Sequence, residues 1–151
     1  MVQDYISDIT TAMNSEILGV VGSGFKELQF VIEVERNSFR GNHDRYGVLH
    51  GSAFQTPGVT KRATFSQSFQ IILTKGYYDS SVSDETARSA SQELYGLMLL
   101  IHKQLINTKA GAPAIVLHVQ DTINILDPEY ITEEKVAVLR ANVELLYRYE
   151  L

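Results

Sequence analysis

The sequence contains no cysteine. That one absence excludes disulfide scaffolds, thiolate metal sites and cysteine nucleophiles; it agrees with a reducing compartment without requiring one. Long apolar runs are missing too. The longest strongly apolar stretch in a helical pattern, residues 94–101, falls far short of the roughly 20 residues a spanning helix needs. A secretory signal is not expected at the N-terminus, where Asp4 and Asp8 interrupt the apolar positions and no basic residue precedes them. No internal repeat or low-complexity tract is visible. The chain is expected to be soluble, with no membrane association.

What is present is the composition of a globular protein. The 151 residues are 44% apolar and 21% charged, enough chain for a single domain spanning residues 1–151 with an ordinary core. The net charge of −5 conceals an asymmetry. Residues 36–62 hold Arg36, Arg40, Arg45, Lys61 and Arg62 against Asp44 alone, a balance of +4, and the remainder holds 8 basic and 17 acidic residues, a balance of −9. Such segregation means either that this segment meets a different environment from the rest of the molecule or that an exposed loop is simply rich in arginine.

Periodicity gives the elements. Tyr5, Ile6, Ile9, Met13 and Ile17 recur at helical spacing with Asp4 and Asp8 early in the run, which predicts an amphipathic helix ended by Gly19, Gly22 and Gly24. From Glu27 the period becomes two, with Leu28, Phe30, Ile32 and Val34 on one side, which predicts a strand to Glu35. A second strand is predicted over residues 63–74, where Phe65, Phe69, Ile71 and Leu73 alternate with polar residues. The connection between them, residues 36–62, carries four of the ten glycines and one of the three prolines. It is long for a compact domain, and reads either as an extended hairpin arm or as a disordered loop.

Beyond the Ser/Asp-rich turn at residues 79–83, Ala87, Ala90, Leu94, Met98, Ile101 and Leu105 form the apolar stripe of a second helix. Ser81 or Ser83 is available as its cap, and the helix fades near Asn107. A less regular strand follows over residues 115–126, then a turn at Asp127-Pro128. In the closing stretch Ala137, Leu139, Ala141, Val143, Leu145, Tyr147 and Tyr149 alternate against Arg140, Asn142, Glu144, Arg148 and Glu150. Val136, Leu139, Val143 and Leu146 also fit helical spacing, so strand and helix both stand. A strand so apolar belongs inside a sheet, because an open edge would invite aggregation. The expected class is α+β: a mainly antiparallel sheet with two main helices packed on one face and a long loop or hairpin arm between the first two strands.

No catalytic constellation emerges. Gly19, Gly22 and Gly24 follow a helix and precede a strand, the reverse of a dinucleotide-binding loop. His43, Asp44 and His50 share one loop and could hold a metal, but solvated loop residues explain them as well. His102 reads as a helix-flank residue, and His118 falls on the polar side of its strand. No serine sits in a nucleophile elbow. Asp127, Glu129, Glu133 and Glu134 cluster at a turn, where solvation accounts for them. The expectation is a non-enzymatic protein with no cofactor and no bound metal. Nucleic acid is a subtler case: Phe39, Tyr46 and Phe54 interleave with the arginines, a combination suited to phosphate contact and base stacking. Yet the domain as a whole is acidic, unlike a dedicated binder, and aromatics at a subunit interface explain the same residues.

In this order of elements, and above all in its closing segment VAVLRANVELLYRYEL, the chain resembles the tail terminator or tail-completion proteins of tailed bacteriophages. The resemblance covers nearly the whole chain in pattern and rests on no short motif. It implies a structural virion protein, assembled in the host cytoplasm, that forms a ring, commonly a hexamer, on the head-proximal end of the tail tube. Such a ring stops tube polymerisation and offers a docking surface to the head–tail connector or neck protein; in contractile phages it caps the sheath as well. DNA would pass through its lumen without sequence specificity. The family has no shared catalytic residues to carry over. From this sequence itself, Arg36, Arg40, Arg45, Tyr46, Lys61 and Arg62 are the candidate contacts of a subunit-bridging or lumen-facing arm, and deletion of residues 41–58 is expected to spare the fold but weaken the ring. Another neck or head-completion protein, an accessory DNA-binding protein, and a small homo-oligomeric enzyme or ligand-binding domain are the alternatives.

Overall fold

A computed structural model describes residues 5–28, 44–56, 62–77, 83–108, 110, 116–131 and 135–150. Its elements in chain order are α1 (Tyr5–Val21), β1 (Lys26–Glu27), β2 (Arg45–Thr56), β3 (Arg62–Gly76), α2 (Ser83–Thr108), β4 (Val116–Ile125), β5 (Glu129–Ile131) and β6 (Val136–Glu150). The strands form one six-stranded sheet in the order β1-β2-β3-β6-β4, with β5 also paired to β6. All pairings are antiparallel except β1 with β2. Because β3 and β4 both run antiparallel to β6, they are parallel to each other, and a parallel return needs a long crossover. Helix α2 supplies it, with β6 inserted between the two strands it connects.

Both helices cover the same face of the sheet. Ile9, Met13 and Ile17 of α1 and Ala90, Leu94, Met98, Ile101 and Leu105 of α2 pack on Phe69, Ile71 and Leu73 of β3 and Leu139, Ala141, Val143 and Leu145 of β6. The stripes read from the sequence are therefore core, each large aliphatic side chain contributing about 1.5–3 kcal/mol by its burial. Helix α1 ends where Gly22 takes a left-handed conformation, φ +86°, and donates its N–H to the Leu18 carbonyl at 2.9 Å. This is the glycine-ended cap anticipated from the composition. Between the helices, the Gln104 amide donates to the Glu16 carboxylate at 2.8 Å.

The closing stretch is a strand, not a helix. β6 lies in the middle of the sheet, hydrogen-bonded to β3 along its length and to β4 and β5 on its other side. Its helical look has a physical cause. Val136 and Val138 face away from the helices, yet both are buried in a second, smaller apolar cluster with Ile72, Leu28, Leu49 and Ile131. A strand buried on both faces loses its alternation.

The connection over residues 36–62 needs correcting. Residues 45–56 are strand β2, which pairs with β3 from Arg45↔Thr74 to Thr56↔Thr64. Only five residues separate β2 from β3, so the pair is a hairpin within the sheet. It is not a two-stranded arm standing apart, because β6 accompanies β3 to the pair Arg62↔Glu150. Deletion of residues 41–58 would thus remove a strand of the sheet, and with it the buried ring of Tyr46. The strand expected from Glu27 is present at Lys26–Glu27 and continues as a hydrogen bond from the Leu28 N–H to the Tyr46 carbonyl at 2.8 Å; its remainder, residues 29–35, lies outside the described residues. The three-residue β5 was not anticipated.

Candidate interaction surface

Register shifts break the ladders of β2, once, and of β4, twice, and a polar side chain reaches a backbone carbonyl in each strand. In β2 the register steps from His50↔Phe69 to Ala53↔Gln67, so Gly51 and Ser52 together oppose Ser68, a bulge that leaves backbone groups without ladder partners. The buried Gln67 amide donates to the Gly51 carbonyl at 3.3 Å, and its own oxygen accepts from the Tyr147 hydroxyl at 2.8 Å. The bulge also breaks the register of β2, which hid it from a period-two reading. In β4 the register slips between Val119 and Ile123. There the buried His102 ring lies 2.9 Å from the Gln120 carbonyl. A carbonyl only accepts, so His102 Nε2 carries the proton.

These contacts tie one flank of α2 to the β4–β5 side of the sheet. Ser91, Tyr95, Leu99 and His102 share that flank at helical spacing. At one end the Tyr130 hydroxyl of β5 donates to Ser91 Oγ at 3.0 Å, and at the other His102 holds β4. Between the two anchors the surface is apolar and open. Tyr95 is 49% exposed, Leu99 46% and Tyr130 42%, while Leu126, 36% exposed, follows Ile125 opposite Arg140 on the sheet face away from the helices. Ile123 and Ile125 of β4, partly buried, pack against the main core on the helix-covered face. Asp121, Asp127 and Glu129 are exposed in the same stretch, and Glu129, opposite Val138 on the face away from the helices, lies 3.9 Å from the Arg140 guanidinium. Residues 116–131 hold these three acids and no lysine or arginine.

The opposite margin of the sheet is organised around Lys75. Its ammonium lies 3.7 Å from Asp44, 3.5 Å from Glu93 of α2 and 5.8 Å from the centre of the Phe25 ring. Asp44 also accepts the Gly76 N–H at 3.0 Å, which joins the start of β2 to the end of β3. Asn14 of α1 donates to the Glu27 carboxylate at 3.1 Å.

The candidate contact residues separate accordingly. Arg45 opens β2, with its guanidinium donating to the Glu27 carbonyl at 3.5 Å and its N–H to Thr74 Oγ1 at 3.0 Å. Tyr46 is a core residue, 5% exposed on the helix-covered face, so its ring is not offered on an arm. Burial, and secondarily the negative charge of Glu27, push its hydroxyl above the ordinary value of 10.0. Arg62 is the first residue of β3, opposite Glu150. Arg36, Arg40 and Lys61 lie outside the described residues, as do His43, Glu133 and Glu134.

The candidate metal set does not assemble. Asp44 serves the β2–β3 junction, and His50 lies six residues along an extended strand, about 20 Å away. Among the described residues no three histidine or carboxylate side chains come together. His118 is exposed, as its polar-side position implied, and lies in a different element from the buried His102. Tyr147 is core. Among the described residues no helix is long and apolar enough to cross a membrane.

Sequence reasoning passed over Gln67, Ser91, Tyr95, Leu99 and Tyr130. For Tyr95 and Leu99 a signal existed: two large apolar residues four apart, off the main stripe of their helix. No protein-family model matches the chain, and no curated protein is significantly similar to it.

Proposed function

We propose that this chain is a structural virion protein that forms a ring on the head-proximal end of a phage tail tube, ends tube polymerisation and joins the tail to the head connector. The observation that carries the reading is the role of the closing segment, residues 136–151, on which the resemblance rests. Residues 136–150 of it form β6, the strand to which β3, β4 and β5 all pair. Helix α2 also packs on it, so the segment that carries the likeness lies at the centre of the sheet. The element order keeps the N-terminal amphipathic helix and the central helix on which the resemblance was read, while the paired strands between them are a hairpin of the sheet and not the expected arm.

The remaining support is chemical. The described polar side chains with buried partners, Gln67, His102 and Ser91, serve backbone or tyrosine groups of the fold. The open features are surfaces suited to proteins: an apolar seam and two sheet margins. In this reading the partners are further copies of the chain, the tail tube, the connector and, in a contractile tail, the sheath. The basic segment then meets either the neighbouring subunit or the DNA passing through the lumen.

The experiment is the mass of the purified protein across a concentration series, followed by negative-stain imaging with and without isolated tail tubes. Rings, or caps on one end of the tubes, are expected. Binding to connector assemblies with no effect on tubes would turn the reading toward a neck or head-completion protein. A monomer that ignores tubes and connectors alike would overturn it.

A further inference from the structure

Helix α2 packs on the sheet and on α1, and its outward face carries a pattern that neither contact uses. Ser89, Glu93, Gly96, Leu100, Lys103 and Asn107 follow one another at alternating steps of four and three, and all six are exposed. That spacing is the seam of a paired-helix contact. Leu100 is 55% exposed, more than any other large apolar side chain among the described residues, with exposed Leu99 beside it. One turn before Leu100 lies Gly96, where the backbone is ordinary helix and an added Cβ would meet nothing within 4 Å. Glycine is the poorest helix former after proline, and neither the backbone nor the described packing requires it here. Close approach by a second molecule would.

The pattern is complementary to itself. Taken about residue 98, an antiparallel copy of the helix sets Leu100 opposite Gly96, Lys103 opposite Glu93 and Asn107 opposite Ser89, each twice. With the same rise of about 1.5 Å per residue in both helices, the matched pairs fall level along the axis. Large meets small in the middle, base meets acid on either side, and amide meets hydroxyl at the ends. Lys103 makes no ion pair among the described residues, and Glu93 has Lys75 at 3.5 Å yet stays exposed. A parallel partner in register would set Glu93 against Glu93 and Lys103 against Lys103, so charge selects the antiparallel arrangement.

We propose that the outward face of α2 is a twofold contact with the same face of a second copy, the two helices running antiparallel. The contact is isologous, so it closes on two copies and cannot by itself build a ring. It therefore goes beyond the ring reading and does not rest on it: copies already joined in rings would use it to pair one ring with another.

The test is sedimentation of the full-length protein across a concentration series, with thermal melts to verify folding. The wild type is expected to pair, and the pairing to weaken as salt rises. Lys103→Glu sets two carboxylates against each other on both sides of the dyad, and is expected to raise the dissociation constant about tenfold or more. Combining it with Glu93→Lys exchanges the charges and is expected to restore the pairing. Gly96→Gln fills the gap with a better helix former. Its melting temperature at low concentration is expected to rise while pairing weakens, a combination that a merely structural role of Gly96 would not produce.

Pairing of copies or of rings that is unchanged in both Lys103→Glu and Gly96→Gln would overturn this contact, as would a charge exchange that fails to recover what Lys103→Glu loses. A wild type that forms only single rings would overturn it too, and leave the ring reading standing. Wild-type dimers that grow no further and cap no tube would bring down the ring reading and leave the twofold contact in place. A wild type that stays monomeric at every concentration and caps no tube would bring down both.

Discussion

The Tyr147 hydroxyl donates to Gln67 Oε1 at 2.8 Å, and the Gln67 amide in turn donates to the Gly51 carbonyl at 3.3 Å. A side chain of the central strand thus reaches, through its neighbour, the backbone of the bulged outer strand. All three strands meet in one buried chain of hydrogen bonds. Removing the first link leaves a buried amide oxygen with one partner fewer, in surroundings where water cannot replace it.

Tyr147→Phe is therefore expected to destabilise the protein by about 1–2 kcal/mol, at the cost typical of an unmatched buried acceptor. Urea unfolding followed by circular dichroism would measure it. Gln67→Leu should cost at least as much, because it also strips the Gly51 carbonyl of its donor.

His102 plays the equivalent part for β4. Replacing it with Phe keeps the bulk but leaves the Gln120 carbonyl without its 2.9 Å partner; the expected loss is about 1–3 kcal/mol. His102→Gln, which can still present an N–H, should recover part of that loss. Thermal melts of the three proteins side by side would show the order.

Tyr46 gives the stability an alkaline limit. Its hydroxyl titrates above 10.0 in the folded protein, so on raising the pH the unfolded chain releases the proton first. The stabilisation is complete below pH 10.0 and fades as the pH climbs through the raised folded value. The stability of the wild type relative to Tyr46→Phe should accordingly fall above pH 10 and stay flat below it. Denaturation midpoints of both proteins from neutral to strongly alkaline pH test this, and Glu27→Gln should lessen the effect by removing the secondary cause.

Two glycines sit where an added side chain would meet resistance. Gly22 ends α1 at φ +86°, where a side chain costs about 1–2 kcal/mol. Gly47 lies beneath Leu28, and a Cβ there would stand 3.2 Å from the Leu28 Cβ. Gly22→Ala and Gly47→Ala are each expected to lower the melting temperature. Only the second should disturb the cluster of Leu28 with Ile72 and Val138, which nuclear magnetic resonance of the methyl groups would reveal.

How far the sequence carried the fold depended on the element. The helices were legible because their burial is one-sided: Ile9, Met13 and Ile17, then Leu94, Met98, Ile101 and Leu105, repeat at the helical period whatever they pack against. Strand β3 was legible at period two from Phe65, Phe69, Ile71 and Leu73, although Ile72 is buried on its other face. Strand β2 was not, since Gly47 and Gly51 interrupt its pattern and the bulge at Gly51 and Ser52 breaks its register. β5 is too short to carry a period at all. In the seam, Tyr95 and Leu99 could be seen to lie off the main stripe, but nothing local could set Tyr130 against Ser91, 39 residues away in the chain.

By itself, then, the sequence determined the absence of thiol chemistry, the α+β class, both helices, the glycine stop after α1 and the concentration of positive charge in residues 36–62. Those properties are local or compositional, and each residue carries its share of them alone. Tertiary structure decided that the closing stretch is the central strand, that Tyr46 is core, that residues 45–56 belong to the sheet and that acidic and apolar groups line the margin opposite β2. These depend on pairing between distant segments. Such pairing is decided by the joint burial of both partners and by where bulged backbone finds its hydrogen bonds, and no single stretch of chain contains that information.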